Sequence, residues 1–252
     1  MTQQQFHIST GIPVVLQNST SFDFKEQYIA LRKKEQRVYT DEEVLQLPLI
    51  PGDHVHAKEW VVRKKSCRKL VNYLKKKGPL NILEIGCGNG WLSYQLSKIP
   101  GSIVTGMDIN DVELKQAARV FSEQTNLSFI NKNISQIELH NHPFDIIVFA
   151  ASLQYFNSFS EIVTVALDHL KLGGEIHIID SPFYQPNDIA EARQRTQSYF
   201  TELGFCQMQH HYFHHSVESF ERFRHTILYN PLSLTNKLLK SKNPFYWIRI
   251  MK

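Results

Sequence analysis

Two kinds of periodicity divide the chain. From Trp60 to Lys77 apolar side chains recur at helical spacing: Trp60, Cys67, Leu70, Val71 and Leu74 share one face. Arg63, Lys64, Lys65, Arg68 and Lys69 mostly line the others, which predicts an amphipathic helix. Lys75-Lys76-Lys77 stands where the helix dipole favours cations, and Gly78-Pro79 ends the helix. Upstream, the first 50 residues are weakly patterned. Thr40-Asp41-Glu42-Glu43 is a capping box that opens a short helix; Pro48 stops it and Pro51-Gly52 turns the chain.

After residue 80 the pattern changes to short apolar runs alternating with helical stretches. Strands are expected at Asn81–Ile85, Ile103–Ile109, Leu127–Ile130, Asp145–Ala150 and Glu175–Asp180, with strand character again over Phe205–Phe213 and a closing strand at Phe245–Ile250. Helices are expected at Gly90–Ile99, Asp111–Gln124 (Val112, Ala117, Val120 and Phe121 inward), Ser160–Leu170 and Pro186–Leu203. Strands spaced by helices of this length imply right-handed crossovers and a doubly wound, mostly parallel sheet.

Composition narrows the class without naming a function. The 252 residues are 42% hydrophobic and 21% charged, ordinary for a globular protein, and no apolar run is long enough to span a bilayer. The N-terminus lacks the basic and apolar regions of a secretory signal. Cys67, Cys87 and Cys206 are too dispersed for a disulfide framework or a zinc pattern, so a cytoplasmic protein with reduced thiols is expected. The net charge of +4 is uneven: residues 1–78 carry 14 Lys/Arg against 8 Asp/Glu. Such a surplus suits either a solvated helix face or a nucleic-acid surface, and the former is the expectation.

The informative segment is Leu83-Glu84-Ile85-Gly86-Cys87-Gly88-Asn89-Gly90-Trp91-Leu92-Ser93. It follows a strand and opens a helix, which places its glycines at the carboxyl edge of the sheet, where open α/β folds bind ligands. Asp108 ends the next strand, where an acid can accept hydrogen bonds from both hydroxyls of a ribose. A dinucleotide fingerprint, G-x-G-x-x-G, would require glycine at position 91, which is Trp91.

The run LEIGCGNGWLS resembles the first motif of the class I S-adenosylmethionine-dependent methyltransferases. Met107-Asp108-Ile109 resembles their acidic ribose step, Phe144–Phe149 their fourth-strand motif, Leu172–Ile176 their turn into the fifth strand, and Leu203-Gly204-Phe205 the entry to the antiparallel end of the sheet. The resemblance covers about residues 60–213 and the final strand. It implies a seven-stranded sheet with an antiparallel C-terminal strand, S-adenosyl-L-methionine as cofactor, and a methyl acceptor expected to be a small molecule. It also implies cofactor contacts for Glu84, Gly86, Cys87, Gly88 and Gly90, for Asp108 and Ile109, and for Phe149 and Ala150 beside the methyl. Asn133 and Ile134 would border the adenine, and Arg63 could reach the cofactor carboxylate. Residues 1–59 are then a helical extension or lid, 60–252 the methyltransferase domain, and 214–243 an insertion.

Catalytic candidates are few, because a sulfonium is already a good leaving group and alignment supplies much of the rate. Tyr155 and Tyr184 follow the fourth and fifth strands; His54 and His56 precede the first long helix. The run His210-His211-Tyr212-Phe213-His214-His215 has no acid or cysteine at ligand spacing, and no metal is expected. Rival readings are an RNA or protein methyltransferase using the basic N-terminal helix, a cofactor-binding but inactive relative, and, more distantly, a dinucleotide oxidoreductase.

Overall fold

The computed structural model describes residues 24–134, 143–237 and 243–252. The first 23 residues of the expected extension and residues 238–242 of the expected insertion lie outside them. Five strands run parallel: β1 (Asn81–Ile85), β2 (Ile103–Asp108), β3 (Leu127–Asn131), β4 (Phe144–Ala150) and β5 (Leu170–Ile179). Two more complete a seven-stranded sheet: β8 (His225–Tyr229) and β9 (Trp247–Met251), with β9 antiparallel to both β5 and β8. The order is β3-β2-β1-β4-β5-β9-β8. The strand order reverses between β1 and β4, so a crevice opens beyond their carboxyl ends.

Alternation along the strands feeds two cores. In β4, Ile146 and Val148 join one cluster while Ile147 and Phe149 join the other. The first cluster is covered by α3 (Ala57–Lys75), α4 (Trp91–Ser97) and α5 (Asp111–Val120), and α3 contributes Trp60, Cys67, Leu70 and Leu74 at the expected spacing. The second is covered mainly by α6 (Phe159–Asp168), which buries Phe159, Ile162, Val163 and Ala166. The capping box at Thr40 is present: the Glu43 amide donates to Thr40 Oγ1 at 3.2 Å, and the Thr40 amide to Glu43 Oε2 at 2.7 Å. It starts α2 (Asp41–Gln46).

Three features depart from the sequence expectation. Phe24–Lys34 forms a helix, α1, in a stretch without a predicted element. Its Leu31 packs with Phe200 of α7 (Ile189–Glu202) and Met208, flanked by Phe24, Tyr28, Phe205 and Tyr212. The segment expected to be a strand at Phe205–Phe213 is instead a 3-10 helix over Cys206–His211. Phe205, Met208 and Tyr212 recur at helical spacing, and a helical turn aims all three at α1 and α7. The sheet's last strand, β8, falls within residues 214–243, and a separate two-stranded ribbon pairs β6 (Phe183–Tyr184) with β7 (His215–Ser216). On α5, Val112 points to solvent while Leu114 turns inward.

The loop after β1 is held from both sides. Glu84 is buried and accepts a 2.5 Å hydrogen bond from Ser93 Oγ, tying β1 to α4. Gly90, at the start of α4, has φ of 74°, and an added Cβ would stand 2.6 Å from the Phe129 ring and 2.9 Å from the Ala117 Cβ. Gly90→Ala is therefore expected to destabilise the protein by about 2–4 kcal/mol, combining left-handed backbone strain with overpacking, as read by denaturant unfolding. A loss below about 0.5 kcal/mol would refute that packing.

Glu84 also predicts a pH dependence. Burial raises its pKa to about 8, against the opposing bond from Ser93 and with a smaller push from Asp108. An unfolded glutamate ionises near pH 4.3. Between those values the folded state binds more protons than the unfolded state, so stability falls as pH rises. Glu84→Gln has no proton to release; its stability relative to wild type should improve steadily from about pH 5 to pH 8 in urea unfolding. A difference that does not change with pH would contradict the buried, neutral carboxyl.

Candidate functional site

Beyond the carboxyl ends of β1 and β4 lies a cavity of about 320 Å³, within the range of small-ligand clefts. Its floor is backbone. Gly86, with φ of 75°, passes so close to the turn after β4 that a Cβ there would lie 2.5 Å from the Ser152 Cβ. Ser152 Oγ donates to Ile85 O at 2.7 Å and fixes that approach. Gly88 has φ of 52°. Its amide donates to Asp108 Oδ2 at 2.8 Å, while the Asn110 amide donates to Asp108 Oδ1 at 2.9 Å. Asn110 then caps α5, its Oδ1 accepting from the Val112 amide at 3.1 Å. Burial raises the Asp108 pKa, while amide donors from Asn110 and Gly88 oppose that.

Most residues singled out in the sequence converge here. Glu84, Gly86, Cys87 and Gly88 line the cavity beneath the loop, and Asp108 and Ile109 stand at the end of β2. Asn133 and Ile134 lie on the wall after β3, Ala150 and Tyr155 after β4, and Arg63 on α3. Four others lie elsewhere. Gly90 packs against Phe129 behind the loop, and Phe149 is fully buried under it, edge-on to Phe156 at 6.0 Å, because alternation along β4 turns it into the second core. Tyr184 is on the β6–β7 ribbon, its ring 5.3 Å from His214. His56 stands at the start of α3, its Nε2 2.6 Å from Glu35 O, and its amide donates to His54 Nδ1 at 3.0 Å. Both histidines thus tie α3 to the chain before it. Trp91 does not obstruct the loop: it is buried on the cavity wall, edge-on to Trp60 at 5.1 Å.

Several lining residues carried no sequence signal. Glu113 on α5 stands beside Asp108, and its Oε2 accepts from Asn110 Nδ2 at 3.1 Å. Burial, reinforced by the Asp108 charge, raises its pKa to about 7. From α1 come Phe24, Tyr28 and Arg32, which close the cavity against Tyr155 and His211. The Tyr28 and Tyr155 rings meet edge-on at 5.7 Å, and Phe24 lies 5.0 Å from His211. Burial raises the pKa of both phenols and lowers that of His211, so these side chains are uncharged at neutral pH.

Arginines gather at the mouth. Arg37 Nη2 lies 2.6 Å from Glu59, and Arg63 Nε donates to Glu59 at 2.8 Å. Burial pushes the Glu59 carboxyl up, but the two guanidiniums outweigh it and hold it at about 2. Arg32 and Arg37 each lie 3.4 Å from Glu35. Among the described residues no group of three or more His, Cys, Asp or Glu is arranged to hold a metal ion.

Residues 82–174 match a family model described as a methyltransferase domain. The chain is 29% identical over 118 residues to a malonyl-[acyl-carrier protein] O-methyltransferase of Bacillus cereus, covering 45% of this chain and 43% of the relative. It is 32% identical over 116 residues to the enzyme of that name from Acetivibrio thermocellus, covering 45% and 40%. The match thus spans less than half the length of these curated relatives. Among solved structures, magnesium protoporphyrin IX methyltransferase from Synechocystis, with bound S-adenosylhomocysteine, superposes with a TM-score of 0.58 at 14% identity, covering 88% of this chain and 94% of that one. The plantazolicin methyltransferase BpumL, also with S-adenosylhomocysteine, gives 0.57 at 18% identity, covering 90% and 96%. At these identities the structural likeness is one of fold. Residues 82–174 thus match a methyltransferase domain, and the sheet order with its antiparallel last strand is that of the class I S-adenosylmethionine-dependent methyltransferase fold.

Proposed function

We propose that the protein transfers the methyl group of S-adenosylmethionine to a small or carrier-linked acceptor. One observation supports this most: a turn of backbone with glycine at positions 86 and 88 borders the same cavity as an anchored carboxylate, Asp108. A Cβ at Gly86 would collide with Ser152, so glycine there lets the loop after β1 close on the turn after β4 beside the cavity. Asp108 keeps acceptor capacity for ribose hydroxyls beyond its two amide bonds. Ile109 and Ile134 offer apolar faces for the adenine, and Asn133 an amide beside it. Arg63 stands over the methionine end, near the buried Glu84.

When bound, the cofactor supplies an electrophilic methyl on a sulfonium that is its own leaving group. The chain's part is to hold, orient and exclude water. The aromatic wall of Phe24, Tyr28, Tyr155 and Phe156 shields the cavity on the side of the turn after β4. We assign residues 1–59 as the lid and the remainder as the methyltransferase domain. A small acceptor is favoured over RNA because the N-terminal arginines that border the cavity are paired with carboxylates. Arg32, Arg37 and Arg63 meet Glu35 and Glu59, Lys25 lies 3.6 Å from Asp111, and Lys77 lies 3.1 Å from Glu175. No described helix is long and apolar enough to cross a membrane, and Cys67 and Cys87 are buried free thiols, which fits the cytoplasmic setting we assign.

Titration calorimetry should show S-adenosylmethionine and S-adenosylhomocysteine binding, and NADH not. Asp108→Ala should weaken S-adenosylhomocysteine by about 10- to 100-fold, the worth of hydrogen bonds to a charged acceptor. A thermal melt of the unliganded variant separates lost contacts from lost fold. Equal affinity of the variant and wild type, or no binding by wild type, would overturn the assignment.

A further inference from the structure

We infer that the acceptor carries a carboxylate, and that Arg32 of the lid helix α1 receives it. The inference rests on the methyl-transfer reading above and adds the chemical class of the acceptor. Three guanidiniums at the cavity, from Arg32, Arg37 and Arg63, share two carboxylates, Glu35 and Glu59. They are not equally neutralised. Arg37 is bound at 2.6 Å and Arg63 at 2.8 Å, both to Glu59. Arg32 has only a 3.4 Å contact to Glu35, a carboxylate that also faces Arg37 and accepts from Tyr199 Oη. Its Nε donates to Tyr28 Oη at 3.0 Å, and its guanidinium lies 5.0 Å from the Tyr28 ring centre. Among the described residues, Nη2 has no hydrogen-bond partner, so the outer edge of the fork is open to a ligand.

Position assigns this edge to the acceptor rather than to the cofactor. Arg63 projects from α3 near Glu84 and Asp180, at the methionine end, and is the guanidinium suited to the cofactor carboxylate. Arg32 comes from α1, among Tyr28, Tyr155 and Phe24, and its charge is felt by Asp108 and Glu113 at the end of β2 and on α5. Charge balance agrees. The bound cofactor has one carboxylate but both an ammonium and a sulfonium, so it adds net positive charge. Glu59 is already enclosed by two arginines, and Glu84 stays protonated at neutral pH. An anion restores the balance in a cavity where charge is poorly screened. A planar carboxylate matches the geometry of a guanidinium fork, and the aromatic wall suits a flat, apolar body attached to it.

The test uses the full chain saturated with S-adenosylhomocysteine, titrated with cinnamate and with cinnamamide, which have the same body with and without charge. Cinnamate should bind at least about tenfold more tightly than the amide, the worth of a charge-assisted hydrogen bond. Arg32→Gln should bring that ratio to about one while leaving the S-adenosylhomocysteine affinity within about twofold, and Arg32→Lys should retain part of the preference. Binding of S-adenosylhomocysteine by each variant also certifies its fold. If wild type fails to bind S-adenosylhomocysteine, the methyl-transfer reading falls. If it binds but takes acid and amide alike, or neither, the carboxylate inference falls alone. If Arg32→Gln weakens S-adenosylhomocysteine as much as cinnamate, Arg32 belongs to the cofactor and the inference is overturned.

Discussion

The double anchoring of Asp108 is the constraint on which the site depends. One carboxylate accepts from the Gly88 amide and from the Asn110 amide, so the loop after β1 and the start of α5 are referred to a single point at the end of β2. Buried amides left unpaired in either loop would each carry a desolvation cost. The Gly86 and Cys87 amides complete the arrangement by donating to Met107 O at 2.8 and 3.1 Å. The crevice that the strand order opens is thus shaped before any ligand arrives, which lowers the ordering cost of binding.

Around that point the molecule divides its carboxyls by environment. Glu59 lies between two guanidiniums and is ionised throughout the physiological range. Glu84 and Glu113, buried with few cationic neighbours, have raised pKa values near 8 and 7. Asp108, whose amide donors oppose the upward push of burial, lines the cavity where hydroxyl donors would meet it, and Glu84 is left as a neutral tie between β1 and α4. A second buried network, of Glu175, His177, Tyr73, Lys77 and Arg249, lies toward the amino ends of the strands and bonds α3 to β5 and β9. It does for the scaffold what Asp108 does for the site.

The parts legible in the sequence are those governed by local rules. Glycine spacing between a strand and a helix located the loop, and alternation of strands with helices gave the sheet, because both follow from backbone geometry over a dozen residues. Helix α1 is harder to read. Phe24, Tyr28 and Leu31 do stand at helical spacing, but that stripe is partnered only by residues near 200–212, nearly two hundred positions away. Over Phe205–Phe213 the opposite error arises: aromatic and polar residues alternate loosely, as in a strand, yet buried Met208 and the half-buried Phe205 and Tyr212 obey a helical count once α1 is there to receive them. Glu113 illustrates a third limit. Its rotation on α5 is set by which apolar neighbours turn inward, and Leu114 rather than Val112 does so, bringing Glu113 to the cavity.

Two of these misreadings share one cause, and it bears on how the site is built. Each concerns an element whose role is defined by another distant in the chain: α1 by α7, and the 3-10 helix by α1. The glycine loop and Asp108 are instead specified by neighbours on the same unit of the sheet. A cofactor cradle that is local and a lid that is long-range can diverge independently, since replacing Phe24, Tyr28 or Arg32 leaves the bonds among Gly88, Asp108 and Asn110 untouched. Under the proposed function, selectivity for an acceptor rests with α1 and the turn after β4, while the cradle beneath them serves the one cofactor.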